Sequence, residues 1–223
     1  MKILITGGCG YVGTVLVKEL SKKNNFIKVV DTMWFGNHLK NSKNIKLINK
    51  DIRNLKSKDF DGIETVIHLA NIANDPGVEL SPILSWDVNV LASYKLINLS
   101  IKAGVKQFIY ASSGSVYGIK KEKKVTEDLD LVPISTYNKT KLIAERIFMS
   151  YKNDIKIHCI RPATVCGYSP KMRLDVSVNM LTFQALTKKI ITLFGGKQIR
   201  PNIHILDLVN VYKHFLDNPN IKS

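Results

Sequence analysis

The sequence lacks any run of about 18 apolar residues, the least that a membrane-spanning helix needs. It also lacks the basic and apolar pattern of a secretory signal, because it opens directly on a strand-like segment. We therefore expect a cytoplasmic protein that has no membrane partner.

Cysteine is scarce, and the three that occur are Cys9, Cys159 and Cys166. Their number is odd and their spacing matches no zinc site, which argues against a disulfide framework and against a bound metal. This cysteine usage fits a reducing compartment.

Acidic residues are few, since 18 Asp and Glu stand against 33 Lys and Arg and leave a net charge of +15. Such an excess can attract nucleic acid or small molecules that carry phosphate. The lysines, however, are scattered through nearly every connection, and no RRM, KH, zinc-finger or basic-zipper pattern accompanies them. We expect solvated surface charge and no nucleic-acid partner.

What the sequence does contain is a regular alternation of strand and helix patterns. At 223 residues and 45% hydrophobic, the chain can bury one good core. Helical patterns cover 12–20 and 83–103, and another opens near 135. Strand-like apolar runs lie at 2–5, 26–30, 45–48, 65–70, 108–112 and 155–160. The order predicts an α/β fold, a doubly wound parallel sheet of the Rossmann type with helices on both faces.

A glycine-rich turn joins the first strand to the first helix. Gly7 and Gly10 allow the backbone to turn tightly and approach a pyrophosphate, while Gly13 lets the helix pack close to the strand. The amides at the helix start would then face the phosphates. Asp31 ends the second strand, where its carboxylate can accept both ribose hydroxyls and would repel a 2′-phosphate. The unit predicts NAD binding in preference to NADP.

Hydroxyl groups cluster just beyond the fifth strand, at the edge where open α/β sheets bind ligands. Ser113 lies there, and Tyr137 and Lys141 are four residues apart on the following helix, so they share one face. We expect the lysine ammonium, together with the positive nicotinamide, to favour the phenolate form of the tyrosine. Ser113 would donate a hydrogen bond to the reacting oxygen. Ser113, Tyr137 and Lys141 are therefore the predicted catalytic residues.

Together these motifs resemble the NAD-dependent epimerase/dehydratase family of extended short-chain dehydrogenases/reductases, over residues 2 to about 217. The resemblance also includes His68-Leu69-Ala70-Asn71 and Arg161-Pro162-Ala163-Thr164-Val165-Cys166-Gly167. It implies NAD as the cofactor, with Asp51 at the adenine amine and the backbone after Pro162 at the nicotinamide carboxamide. The implied cofactor-binding residues are Gly7, Gly10, Tyr11, Val12, Gly13, Asp31, Asp51, Ile52, Leu69, Ala70, Asn71, Tyr137, Lys141, Pro162 and Ala163.

The resemblance implies a nucleotide-diphosphate sugar as substrate, bound by Ser113, Asn179 and Arg200. Within the family, sugar 4,6-dehydratases carry an Asp-Glu pair after the catalytic hydroxyl residue, and uronate decarboxylases a glutamate. Gly114 and Ser115 supply no carboxylate there. The pattern is similar to UDP-glucose/galactose 4-epimerases, which implies epimerisation, at C4, through a transient 4-keto intermediate.

Two alternatives stay open. A reductase of a nucleotide-linked 4-keto sugar would use the same residues. A non-catalytic NAD-binding sensor or basic binding module would be compatible with the charge of +15.

The resemblance also implies a domain division and an assembly. We expect an NAD-binding Rossmann domain over 1–165, then a partial substrate-binding region with returning Rossmann elements over 166–223. The C-terminal substrate lobe of the family would be largely missing, either because the chain is truncated or because the lobe is absent. The helices that carry Asn89 and Tyr137 form a four-helix bundle between subunits in relatives, which predicts a homodimer.

Overall fold

A computed structural model describes residues 1–221, so the last two residues of the predicted 166–223 region lie outside the described part. Its main sheet has six strands, all parallel, in the order β3-β2-β1-β4-β5-β6. The strands are β1 (Lys2–Thr6), β2 (Phe26–Asp31), β3 (Ile45–Asn49), β4 (Thr65–His68), β5 (Gln107–Ala111) and β6 (Lys156–Ile160). This confirms the predicted doubly wound parallel sheet.

Helices follow most of these strands. They are α1 (Tyr11–Ser21), α2 (Asp75–Leu80), α3 (Pro82–Trp86), α4 (Ala92–Lys102), α5 (Thr136–Ser150), α6 (Ser177–Lys188) and α7 (Ile205–Asp217). A second, two-stranded parallel sheet pairs β7 (Thr164–Cys166) with β8 (Asn202–His204). Among the described residues, no helix is long and apolar enough to cross a membrane.

The core lies on both faces of the six-stranded sheet, because successive strand residues point to opposite sides. Leu4, Val66 and Phe108 face one side, where residues of α4 and α5 cover them. Ile3, Ile5, Ile67 and Ile109 face the other, where α1 and α7 cover them. Burial on both faces explains why the strands read as continuous apolar runs instead of alternating ones.

The strand order places a crevice at the carboxyl ends of β1 and β4. The chain passes from β1 outward to β2 and β3, then crosses back to β4 on the other side of β1. The connections that leave β1 and β4 therefore diverge and open a gap between them, where ligands bind in sheets of this kind.

The predicted helix over 83–103 contains a π-helical turn, Asp87–Leu91, between α3 and α4. Asn89 lies on that turn with its side chain fully buried. Its amide accepts a hydrogen bond from the Ile72 N–H and donates to the Ile72 carbonyl and to the hydroxyl of Thr140. Asn89 thus ties the segment after β4 to α5.

His68, at the end of β4, is a buried structural residue. The Oγ of Ser93 donates to the Asn89 carbonyl, so it can accept from Nε2–H of His68 at 3.1 Å. The Thr6 hydroxyl lies 2.7 Å from Nδ1 and donates to it. The bond that Nδ1 accepts requires the neutral ring, since both nitrogens of a protonated ring are donors. Burial lowers the pKa of His68 to about 3, and the charge of Lys141 acts in the same direction.

We expect His68 to make the fold acid-sensitive. An unfolded histidine gains a proton below about pH 6.5, whereas the folded one stays neutral down to about pH 3. Stability is therefore lost as pH falls through this window, by up to about 1.4 kcal/mol per pH unit. Urea unfolding at a series of pH values should show a shallower acid loss in His68→Gln than in the parent, although the variant is less stable at neutral pH.

The matched control for this experiment is His38→Gln, because His38 is exposed. It should keep the parent's acid dependence. Equal slopes in the parent and in His68→Gln would contradict the neutral, buried ring.

Candidate active site

A cleft of about 290 Å³ opens at the carboxyl ends of the strands. It is lined by nearly every residue that the sequence assigned to cofactor binding. Those that line it are Gly7, Gly10, Tyr11, Val12, Gly13, Asp31, Asp51, Ile52, Leu69, Ala70, Asn71, Tyr137, Lys141 and Pro162. Ala163 is not among the described residues that line the cleft. Residues far apart in the chain thus meet in one place, as a dinucleotide site requires.

The glycine turn forms a cradle that side chains would fill. Gly7 has a φ of +73°, and a Cβ there would lie 2.5 Å from the Ala70 nitrogen. A Cβ on Gly13 would lie 2.5 Å from the Gly7 carbonyl oxygen. Helix α1 starts at Tyr11, directly after the turn, so its free amides face the cleft. This bare backbone at a helix N-terminus fits the pyrophosphate of NAD.

Two carboxylates lie at the adenosine side of the cleft. The Asp31 carboxylate accepts hydrogen bonds from the N–H groups of Cys9, at 2.9 Å, and Met33, at 2.7 Å, which fix its orientation. The Asp51 carboxylate accepts from the N–H of Arg53 and pairs with its guanidinium at 2.8 Å. The Arg53 hydrogen bond is the main cause that lowers the pKa of Asp51. Both groups suit hydroxyl and amine donors of a nucleoside.

Tyr137 and Lys141 enter the cleft from the first turns of α5. The helix starts where the sequence predicted, because the hydroxyl of Ser135 caps it by accepting from the Asn138 N–H. Lys141 is 3% exposed, and its Nζ donates to the Ala111 carbonyl at 2.7 Å. That Nζ lies 5.9 Å from the centre of the Tyr137 ring. The two side chains therefore share one wall, as their spacing predicted.

Burial dominates the acidity of both groups in the cleft. It raises the pKa of Tyr137 to about 12, although the charge of Arg173 acts in the opposite direction. It lowers the pKa of Lys141 to about 7, and the Nζ of Lys141 donates to the Ala111 carbonyl. Stabilising the phenolate therefore calls for positive charge beside the phenol, such as that of a nicotinamide.

The serine that lines the cleft is Ser112, whereas the predicted Ser113 is not among the described lining residues. The Ser113 hydroxyl lies 2.7 Å from the Ser115 hydroxyl and accepts from the Ser115 N–H, so it caps the short 3-10 helix Gly114–Tyr117. A catalytic role for Ser113 stays a prediction.

The two predicted substrate residues also lie outside the cleft lining described here. Asn179 is 5% exposed, and its amide accepts from the Gly167 N–H while it donates to the Tyr11 hydroxyl and the Arg173 carbonyl. Arg200 is exposed on the segment 190–201. Asn179 therefore holds the loop 167–175 against α1, and substrate contacts by either residue stay predictions.

Two loops meet across the mouth of the cleft, and the sequence did not predict the contact between them. Trp34 and Phe35 follow β2, and Lys171 and Arg173 come from the loop after β7; all four line the cleft. The Lys171 Nζ lies 4.8 Å from the centre of the Phe35 ring, within cation–π range. Neither loop carries a periodic pattern that could have predicted this contact.

Comparison with known proteins agrees with this geometry. Residues 3–223 match the family described as "NAD dependent epimerase/dehydratase family". The chain is 32% identical over 99% of its length to "Uncharacterized UDP-glucose epimerase YtcB" of Bacillus subtilis (strain 168), covering 74% of that protein. It is 33% identical over 95% of its length to the UDP-glucose 4-epimerase of Lactobacillus helveticus, covering 71% of it.

Among solved structures, the UDP-glucuronic acid 4-epimerase from Bacillus cereus, in complex with UDP-glucuronic acid and NAD, matches the whole chain. The TM-score is 0.86 at 29% identity, and 74% of that chain is covered. Our chain thus spans about three quarters of the length of these relatives.

The sheet, the glycine cradle and the tyrosine–lysine pair in the cleft define an NAD-binding Rossmann protein of the short-chain dehydrogenase/reductase type. The chain belongs to the NAD-dependent epimerase/dehydratase family. This confirms the family and the cofactor that the motifs predicted.

We expect Asp31 to set the choice of cofactor. In Asp31→Asn the charge that repels a 2′-phosphate is gone, while one amide acceptor remains. Calorimetric titration with NAD and NADP should show the preference for NAD reduced by about 10-fold, roughly 1.4 kcal/mol. Asp61→Asn, the same change at an exposed residue outside the cleft lining, should leave the preference unaltered. An undiminished preference in Asp31→Asn would contradict the assignment.

We expect Phe35 and Lys171 to retain the cofactor by closing the cleft mouth. Phe35→Leu and Lys171→Met should each increase the rate of NAD dissociation about 2- to 5-fold. This factor corresponds to the interaction energy of an exposed cation–π contact. In stopped-flow displacement the double variant should be no faster than the faster single one, because both remove the same contact. The control is Lys188→Met, at an exposed lysine on α6. Additive effects of the two changes would argue against the contact.

Proposed function

We propose that the protein is an NAD-dependent nucleotide-sugar epimerase that acts at C4 through a transient 4-keto intermediate. The observation that carries the proposal is that the partly buried Tyr137 and the buried Lys141 line the same cleft as the glycine cradle and Asp31. Relatives named as UDP-glucose 4-epimerases support it, and they favour a UDP-sugar as substrate.

Tyr137 is the proposed acid–base residue. Its phenol exchanges a proton with the oxygen on the reacting sugar carbon, and the neighbouring Lys141 stabilises the phenolate when it is charged. Bound NAD supplies reversible oxidation at that carbon and adds positive charge beside the phenol. The keto sugar then presents its other face before it is reduced again.

Ser113 is the proposed donor to the reacting oxygen. Its hydroxyl, held by Ser115 in the structure, would have to turn toward the cleft when the sugar binds. Arg200 is the proposed partner of the substrate diphosphate, since its planar guanidinium suits phosphate oxygens. Asn179 stays in the proposed substrate region and acts there chiefly by holding the loop of Arg173.

The two residues that follow Ser113 favour epimerisation over water elimination or decarboxylation. Gly114 and Ser115 carry no acid group. The buried carboxylate of Glu145 accepts from the Ser112 hydroxyl and pairs with Arg161. A carboxylate engaged in this way is a poor general base.

We also propose a homodimer through the helices of Asn89 and Tyr137. Large apolar side chains are exposed on these helices, namely Ile83, Leu91, Tyr94 and Ile143. Large apolar side chains exposed on neighbouring helices are typical of protein interfaces.

We expect Tyr137→Phe to abolish turnover while NAD binding is preserved. The substitution removes the proton-transferring hydroxyl and retains the ring that packs in the cleft. The assay incubates the protein and NAD with a panel of UDP-, GDP-, CDP- and dTDP-sugars and reads the product stereochemistry. Tyr151→Phe is the matched control, because its hydroxyl accepts from Asn98 and does not line the described cleft.

The outcomes separate the alternatives. Inverted C4 stereochemistry without net cofactor consumption supports the epimerase. Net consumption of NADH with a keto sugar identifies the reductase instead. NAD binding without any sugar conversion, joined to salt-sensitive nucleic-acid binding, identifies the non-catalytic module. Unchanged activity of Tyr137→Phe would overturn the assignment of the acid–base residue.

A further inference from the structure

One face of α5 makes two successive hydrogen bonds to the end of β5. Tyr137, Lys141 and Glu145 are spaced four residues apart, so they lie along that face. The Lys141 Nζ donates to the Ala111 carbonyl at 2.7 Å. One helical turn further on, the Ser112 hydroxyl donates to Oε2 of Glu145 at 2.6 Å. Two neighbouring residues of the strand end are thus held by two successive turns of the helix.

Glu145 is itself held firmly from the other side. It is 3% exposed, and the Arg161 guanidinium after β6 contacts both carboxylate oxygens. Arg161 also donates to the Tyr117 hydroxyl at 2.8 Å. A buried ion pair has a high desolvation cost and adds little net stability, so its presence calls for a positional explanation.

We propose that Glu145 is a positioning residue for the active site, an inference that rests on the function proposed above. Anchored by Arg161, it holds Ser112 and thereby fixes α5 along the end of β5. That register keeps Tyr137 and Lys141 facing the cleft. Glu145 is not among the described residues that line the cleft, so it acts through Ser112 and not on the sugar.

The main test variant is Ser112→Ala, which breaks the Glu145 contact without leaving a buried charge unpaired. Ser112→Thr restores the hydroxyl. The matched control is Ser100→Ala on α4, which also deletes a fully buried serine hydroxyl, one that donates to the Leu96 carbonyl. All variants are compared with the parent as the NAD-loaded full chain.

Two readouts decide the inference. The first is steady-state kinetics, where Ser112→Ala should lower kcat about 10- to 100-fold with little change in KM, as expected for a small misplacement of reacting groups. The second is competitive acetylation followed by mass spectrometry from neutral to alkaline pH. The pKa of Lys141 should rise from about 7 toward the ordinary lysine value, because a loosened Nζ regains water.

Ser112→Thr should recover both values in large part, and Ser100→Ala should change neither. Because Ser112 also lines the cleft, its substitution could affect the reaction directly. Glu145→Gln tests the role of the glutamate without changing a cleft residue. If the two residues act together, Ser112→Ala should cost much less in the Glu145→Gln background than in the parent. Additive losses would overturn the proposal.

The acetylation readout separates this inference from the proposed function. If the parent converts no nucleotide sugar, the proposed function fails, and the pKa of Lys141 still decides the positioning role. If Ser112→Ala leaves that pKa and kcat unchanged, or if Ser100→Ala alters them equally, Glu145 is only a structural residue.

Discussion

The active site depends on one buried ammonium, that of Lys141, held by the carbonyl at the end of β5. A charge in this position loses most of its hydration, so it is retained only where the backbone supplies a fixed acceptor. The same contact joins the end of β5 to α5, the helix that carries Tyr137. Burial of the amine lowers its pKa to about 7, and burial of the phenol raises the pKa of Tyr137 to about 12. The cleft is thus poised for the added positive charge of a nicotinamide.

The sheet topology supplies the rest of the site. Because β1 lies between β2 and β4, the glycine cradle and the segment after β4 face each other across a crevice. Asp31 closes one end of it, and the tyrosine–lysine pair closes the other. The loop 167–175 reaches over the crevice and is attached to α1 through Asn179 and Tyr11. One continuous cleft therefore joins the glycine cradle, Asp31 and the phenol of Tyr137.

Local patterns in the sequence predicted most of this arrangement. Apolar runs and glycine spacing specify strands and the cradle, since both depend on neighbouring residues only. Side-chain direction in the loops could not be predicted, because it depends on contacts between distant segments. Asn179 was expected to bind substrate, yet its amide is used by Tyr11 and two backbone groups. The contact between Phe35 and Lys171 joins loops separated by most of the chain.

The most direct test of the central claim follows hydrogen at the reacting carbon. The protein with NAD is incubated in ordinary water with a nucleotide sugar that carries deuterium at C4, and the epimerised product is analysed by mass spectrometry and NMR. The account predicts that the deuterium is retained, because the redox chemistry that NAD supplies exchanges no hydrogen with water while Tyr137 handles only the oxygen's proton. Replacement of the deuterium by solvent hydrogen would contradict it.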